Sequence, residues 1–182
     1  MLYNKLLEQA LERSNRLDTI RAGDTLTDVL PVRGKFLWPD SSVINDDGFT
    51  EIHANDVSLV LMLRYKDATF MLSGDAEQHV EHILTERYSD SLDCDIYKAA
   101  HHGSKTSNTS EFIRAVNPEM VVVSVGEKNK FKHPAPSTMA RFDSLGCPVF
   151  RTDKDGAVWI KTDGVKIWGE TRLGKKFIFS AK

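Results

Sequence analysis

The stretch His101-His102-Gly103-Ser104-Lys105-Thr106-Ser107 decides the reading of the fold, because of what leads into it. A short apolar run, Asp95-Ile96-Tyr97-Lys98-Ala99-Ala100, precedes the two histidines, and 26 residues before His101 a second run, Thr69-Phe70-Met71-Leu72-Ser73, ends in Gly74-Asp75. Each run reads as a buried strand that stops at a potential metal ligand. Imidazole and carboxylate are ordinary ligands for zinc, iron or manganese. Groups at the carboxyl ends of neighbouring strands converge on one crevice, which is where α/β sheets carry their sites. Taken singly, Gly-Asp reads as a turn and a His pair as a loop or cap. Together, both at strand ends and both followed by Gly or small residues, they favour a site.

Outward from this pair of runs the pattern is a mixed α/β domain with several antiparallel strands. Residues 57–65 read as a long strand, Lys66-Asp67 as a turn and 68–73 as its return, the clearest hairpin in the chain. Residues 76–88 read as a helix with Val80, Ile83 and Leu84 facing inward and an acidic start at Asp75 and Glu77. Asn108-Thr109-Ser110-Glu111 has the form of a capping box ahead of 112–116, closed by Pro118. The β-branched run 120–125 reads as a central strand, 134–145 as a short helix, and 148–152, 157–162 and 165–168 as strands. Upstream, 2–14 carries leucines at helical spacing, 18–32 reads as a strand pair, and the Asp/Ser/Asn/Gly-rich 38–48 as a loop. Arg172, Lys175, Lys176 and Lys182 read as a solvated tail.

Composition bounds the function. With 182 residues, 41% hydrophobic and 27% charged, the chain suits one globular domain with a sizeable core. A net charge of -2 leaves no global basic field, so contact with nucleic acid requires a local patch. Lys128, Lys130 and Lys132 around Phe131 form one such loop, read first as solvated but able to hold a phosphodiester beside a metal site. Cys94 and Cys147 lie far apart and in no metal-binding spacing, which suits reduced core thiols and a cytoplasmic setting. No stretch approaches the roughly 18 apolar residues of a membrane span. Ser104 and Ser107 lie near His101, but no Gly-x-Ser-x-Gly elbow accompanies them. Gly103-Ser104-Lys105 lacks the first glycine of a phosphate loop.

Six motifs in order resemble the metallo-β-lactamase superfamily, in the branch typified by the soluble domain of the competence protein ComEC. They are Asn55-Asp56-x-Ser58, Leu72-Ser73-Gly74-Asp75-Ala76, the stretch from His101, Ser124-Val125-Gly126, Asn129 with His133-Pro134, and Arg151-Thr152-Asp153-x-x-Gly156. The resemblance covers roughly residues 20–165. It implies an αββα sandwich holding one or two metal ions, with zinc or manganese as the expected divalent metal. It also implies Asp75 as a bridging carboxylate and one of His101 and His102 as the last histidine ligand, the other lying beside the substrate. His133 is then a further contact at the mouth, so that His101 and His133 are the candidate catalytic groups. The resemblance points to a phosphodiester such as DNA as substrate, in DNA uptake.

The departure from that family concerns its main cluster, a His-x-His-x-Asp-His type stretch. The histidines here are His53, His79, His82, His101, His102 and His133, and none makes such a cluster. His53 has no ligand companions, and His79 and His82 read as a solvated helix face. The chain therefore resembles the C-terminal half of the family's domain and offers about three metal ligands, the lower limit for a catalytic zinc. Two readings follow: a metal-dependent hydrolase completed by a first half supplied from elsewhere, or a non-catalytic half-domain or interaction module. A missing half would expose a sheet face around Leu59, Leu61, Leu63, Met71 and 121–123, which predicts a homodimer or a complex with a separately encoded half. A monomer with helix 2–14 folded over that face is the alternative.

Overall fold

The computed structural model describes residues 20–26, 31–41, 43 and 54–182. The helix expected at 2–14, most of the 38–48 loop and His53 lie outside them. Strands β1 (Thr25–Leu26), β2 (Arg33–Trp38), β3 (Val60–Tyr65), β4 (Ala68–Leu72), β5 (Ile96–Lys98), β6 (Met120–Val123) and β7 (Val149–Arg151) form one sheet in that spatial order. Pairing is antiparallel from β1 to β4 and parallel from β4 to β7. Three crossovers join the parallel strands, through helices α1 (Gln78–Tyr88), α2 (Ser110–Val116) and α3 (Pro136–Asp143). A second, antiparallel sheet follows, β8 (Val158–Thr162), β9 (Lys166–Thr171) and β10 (Lys176–Ser180), after a short turn of helix, α4 (Thr152–Asp155).

The two faces of the large sheet carry separate cores. Met71, Tyr97, Val121 and Val123 face the helices and pack with Val80, Leu84, Phe112, Ile113, Val116 and Phe142. Their strand neighbours, one residue along, face the other way. Ala68, Ile96, Met120 and Phe150 pack with Ile167 of β9, and Phe177 and Phe179 of β10 lie against them. The period of two along each strand dictates this split. The fold is thus mixed α/β in three layers, helices on sheet on sheet, the arrangement of half or more of an αββα sandwich.

Three expectations change. The face thought to be uncovered mixed residues of both sides. Met62 pairs with Met71, whereas Leu61 and Leu63 pair with Leu72 and Phe70. Met71, Val121 and Val123 are wholly buried beneath the helices. The opposite face is covered over Ala68, Ile96 and Met120 by the second sheet, leaving Leu59 and Leu72 exposed by 43% and 38%. The tail is a strand and not an irregular extension: alternation in Lys176-Phe177-Ile178-Phe179-Ser180 makes it β10, whose phenylalanines turn inward while Arg172, Lys175 and Lys176 stay exposed. Lys175 pairs with Asp155 at 2.6 Å, and the Lys182 backbone N–H donates to the buried Asp95 at 2.9 Å. Finally, the residue that caps α2 is Thr109, whose hydroxyl accepts from Phe112 N–H; Asn108 sits one residue before it with φ of +59° and a different task.

Candidate functional site

The site lies where β4, β5 and β6 end side by side. After β4 the chain turns through Gly74, at φ of +52°, where a Cβ would stand 3.0 Å from Ser58 Cβ. Ser58 Oγ accepts from Asp75 N–H at 3.2 Å, so the Asn55-x-x-Ser58 segment sets where the Asp75 carboxylate points. Ser73 Oγ donates to Lys98 O at 2.9 Å and His101 N–H to Gly74 O at 3.0 Å. These bonds lash the end of β4 to the end of β5 and bring Asp75 beside the histidines.

His101 and His102 both adopt left-handed backbone, at φ of +46° and +54°. Gly103 continues it at φ of +79°, and a Cβ there would stand 2.6 Å from Pro134 Cβ, so glycine is required. Two consecutive histidines in this region cost about 1–2 kcal/mol each, and such strain collects at functional sites. A buried polar network holds it. Asn108 Oδ1 accepts from Ala100 N–H at 3.0 Å and from Tyr97 OH at 2.8 Å, and its Nδ2 donates to Ala100 O at 3.0 Å. Glu81 of α1, itself buried, accepts from Asn108 N–H and from Thr109 N–H. Burial pushes its carboxyl pKa upward despite these donors and the Arg141 guanidinium. Arg141 of α3 closes the ring by donating to the Ser107 and Asn108 carbonyls.

His102 is oriented from β6. Its Nδ1 donates to Ser124 O at 2.7 Å, which leaves Nε2 on the side of Asp75, 3.8 Å from Oδ1. A carbonyl that takes one ring N–H and frees the other nitrogen is the usual support of a metal-ligating histidine. Thr152 in turn fixes the chain just after β6, its hydroxyl accepting from Val125 N–H at 2.7 Å and donating to Val125 O at 2.8 Å. His101 is turned otherwise. Its Nδ1 lies 3.2 Å from Glu77 Oε1, close but not aligned as a hydrogen bond, and is a buried polar atom left unsatisfied. Asn55 Nδ2 donates to the same Glu77 oxygen at 3.1 Å.

His133 arrives on the loop after β6. Asn129 shapes that loop, donating to Gly126 O and His133 O and accepting from His133 N–H. The His133 ring stacks on Phe131, with centroids 5.9 Å apart, and meets His101 edge-on at 5.6 Å. Desolvation, then the neighbouring His101 and His102, lower its pKa against the pull of Asp75. A cavity of about 320 Å³ opens between His102, Val125, Asn129, Phe131 and His133. Lys98, half-buried beneath, has its pKa lowered by burial and partly restored by Asp75.

The structure thus brings together Asp75, His101, His102 and His133, and leaves His79 and His82 on the exposed face of α1, where His82 meets Glu86 at 3.4 Å. Ser107 Oγ donates to Ala76 O and Ser104 Oγ bonds Thr106 Oγ1, so neither is poised as a nucleophile. Glu77 was legible in the sequence only as an acidic helix start, Asn108 only as part of a capping box and Tyr97 only as part of an apolar strand, and Glu81 carried no signal at all. As a metal centre the donor types fit and the donor number does not. Among the described residues no group of three or more His, Cys, Asp or Glu side chains is placed to hold an ion.

No family model matches the chain. It is similar to one stretch of proteins named for competence and recombination. ComE operon protein 3 of Bacillus subtilis strain 168 is 27% identical over 154 residues, which is 85% of this chain and 19% of that protein. Competence protein ComA of Neisseria gonorrhoeae is 35% identical over 124 residues, 68% of this chain and 17% of that one. Recombination protein 2 of Haemophilus influenzae is 31% identical over 104 residues, 57% of this chain and 13% of that one. The chain thus spans less than a fifth of the length of these relatives. A provisionally named metal-dependent hydrolase from Parabacteroides distasonis superposes at a TM-score of 0.47 and 15% identity, over 80% of this chain and 62% of that one, too loosely to carry an argument. Among the described residues no helix is long and apolar enough to cross a membrane.

Proposed function

We propose that the chain provides part of a metal-dependent hydrolase of phosphodiesters, DNA among them, with Asp75 and His102 as two ligands and the rest supplied from outside the described residues. The observation that carries this reading is the His102 ring, held by Ser124 O with Nε2 facing Asp75 at 3.8 Å. A divalent ion, when bound, supplies Lewis acidity toward water and phosphoryl oxygen. His101 lies next to the ligand pair, its Nδ1 3.2 Å from the Glu77 carboxylate that Asn55 holds. His133, whose pKa is lowered by desolvation and by the neighbouring His101 and His102, offers a ring nitrogen that can accept or return a proton at the cavity mouth. Relatedness to proteins named for competence favours DNA over other phosphodiesters.

A second reading, a non-catalytic interaction module, draws on the incomplete donor set. Metal analysis of the wild type beside Asp75→Ala and His102→Ala decides between them. About one ion per chain in the wild type, lost in both variants, is expected; equal metal in all three proteins sinks the hydrolase reading. Cleavage of single- and double-stranded DNA with Mn²⁺ or Zn²⁺ should be weak or absent for the chain alone, since two ligands fall short of the three usual at a catalytic zinc.

A further inference from the structure

We infer that the outer face of β8–β10 is a platform for single-stranded nucleic acid, separate from the chemistry at Asp75. The inner face of this sheet is committed to the core through Ile167, Phe177 and Phe179. By the same alternation its outer face presents Trp159, Lys161, Lys166, Trp168, Glu170, Lys176 and Ile178. Trp159 and Trp168 are 51% and 36% exposed, unusual for the two largest side chains of the sheet. The register sets the pattern of the face. Trp159 stands opposite Glu170, which stands opposite Lys176; Lys161 stands opposite Trp168, which stands opposite Ile178. The tryptophans are therefore diagonal neighbours, about 7–8 Å apart, each with a lysine in the adjoining position.

This checkerboard suits one kind of ligand. A protein partner needs an apolar centre depleted of lysine and glutamate, whereas here Lys161 and Glu170 stand in the middle. A lipid surface is bound in proportion to the contiguous apolar area that enters it, and Lys161 and Glu170 interrupt that area between the tryptophans. A nucleic-acid strand offers alternating flat rings and negative phosphates. Its bases stack on exposed aromatics and its phosphates take the lysines. Three lysines against one glutamate give the face the complementary charge. A cavity of about 480 Å³ lined by Trp159, Lys161, Trp168, Glu170 and Lys176 lies on this face, beside both rings and two of the lysines. The diagonal spacing is roughly twice the 3.4 Å rise of a stacked strand, so an extended single strand fits where a duplex, its bases hidden, does not.

Tryptophan fluorescence reads this face directly. Trp38 is wholly buried and donates to Asp56 O, so quenching by a ligand reports Trp159 and Trp168. The full chain is titrated with an oligothymidylate of about 20 nucleotides, enough to span a typical site. Saturable quenching that weakens with added salt is expected. Trp159→Leu and Trp168→Leu should each weaken binding about tenfold, and Trp168→Phe should retain most of it. Lys161→Glu with Lys176→Glu should abolish it while leaving the metal content of the chain unchanged, which separates this inference from the metal reading. Unfolding midpoints of the variants confirm that each is folded. No quenching, duplex binding as tight as single-strand binding, or unchanged affinity in both leucine variants overturns the inference. A blue shift on phosphatidylserine vesicles, or quenching by self-association, without any response to the oligonucleotide, also overturns it and assigns the face to lipid or to a second copy.

Discussion

Replacing Asn108 by Ala tests whether the buried network, rather than the histidines themselves, holds the strained loop in place. Asn108 is wholly buried and contributes three side-chain hydrogen bonds, to Ala100 N–H, Ala100 O and Tyr97 OH. Alanine removes all three. Ala100 N–H keeps a partner in Tyr97 OH at 3.2 Å, but Ala100 O loses the amide donor and the tyrosine O–H loses the acceptor for its proton. Two buried groups so abandoned cost about 1–3 kcal/mol each. Asn108 also sits at φ of +59°, where alanine costs roughly a further 1 kcal/mol relative to asparagine. The expected loss is therefore about 3–7 kcal/mol, read as a lower urea midpoint at unchanged slope. Asn108→Gly loses the same bonds without the backbone penalty, so it should be more stable than Asn108→Ala by about 1 kcal/mol, the reverse of the usual glycine effect. The loop reasoning is refuted if Asn108→Ala costs under about 1 kcal/mol, or if the glycine variant is the less stable of the two.

Two further outcomes follow from neighbouring groups. Glu81 has a folded pKa raised by burial, so its contribution to stability is fully present below its unfolded value of about 4.3 and is lost as pH rises through the folded value. Glu81→Gln removes that loss, and the difference in urea midpoint between variant and wild type should shift in the variant's favour as pH rises from about 4 to about 7; a difference that does not change with pH contradicts the assignment. Gly103→Ala places a Cβ 2.6 Å from Pro134 Cβ at a backbone φ of +79°. It should cost about 2–4 kcal/mol and displace the His102 ring, seen as a shifted imidazole resonance; a wild-type midpoint and spectrum would contradict it.

How much of this was legible beforehand depends on how far apart in the chain the interacting groups lie. The hairpin Val60–Leu72, helix α1 and the strand runs at β5 and β6 are local patterns of period 2 or 3.6, and they are where the periodicity placed them. The alternation of β10 was equally local, but its lysines outweighed two phenylalanines in the reading, and only pairing with β9 reveals the inward face. The cap of α2 was displaced by one residue because Asn108 is drawn inward by Tyr97 and Ala100, a tertiary demand that a capping-box pattern does not contain.

By itself the sequence determined that Asp75 and the two histidines stand just beyond the ends of apolar strands, since strand length and turn residues are written within a few positions of one another. It also marked Gly74 as a turn there. Only the tertiary structure decided that β4, β5 and β6 lie side by side, so that these ends converge. It alone assigned the histidines different partners, Ser124 O for His102 and Glu77 for His101. Those partners lie 22 and 24 residues away, counting from His102 to Ser124 and from Glu77 to His101. The physical reason is that a side chain's orientation is set by the atoms packed around it, and here those atoms belong to neighbouring strands and a helix that no local periodicity encodes.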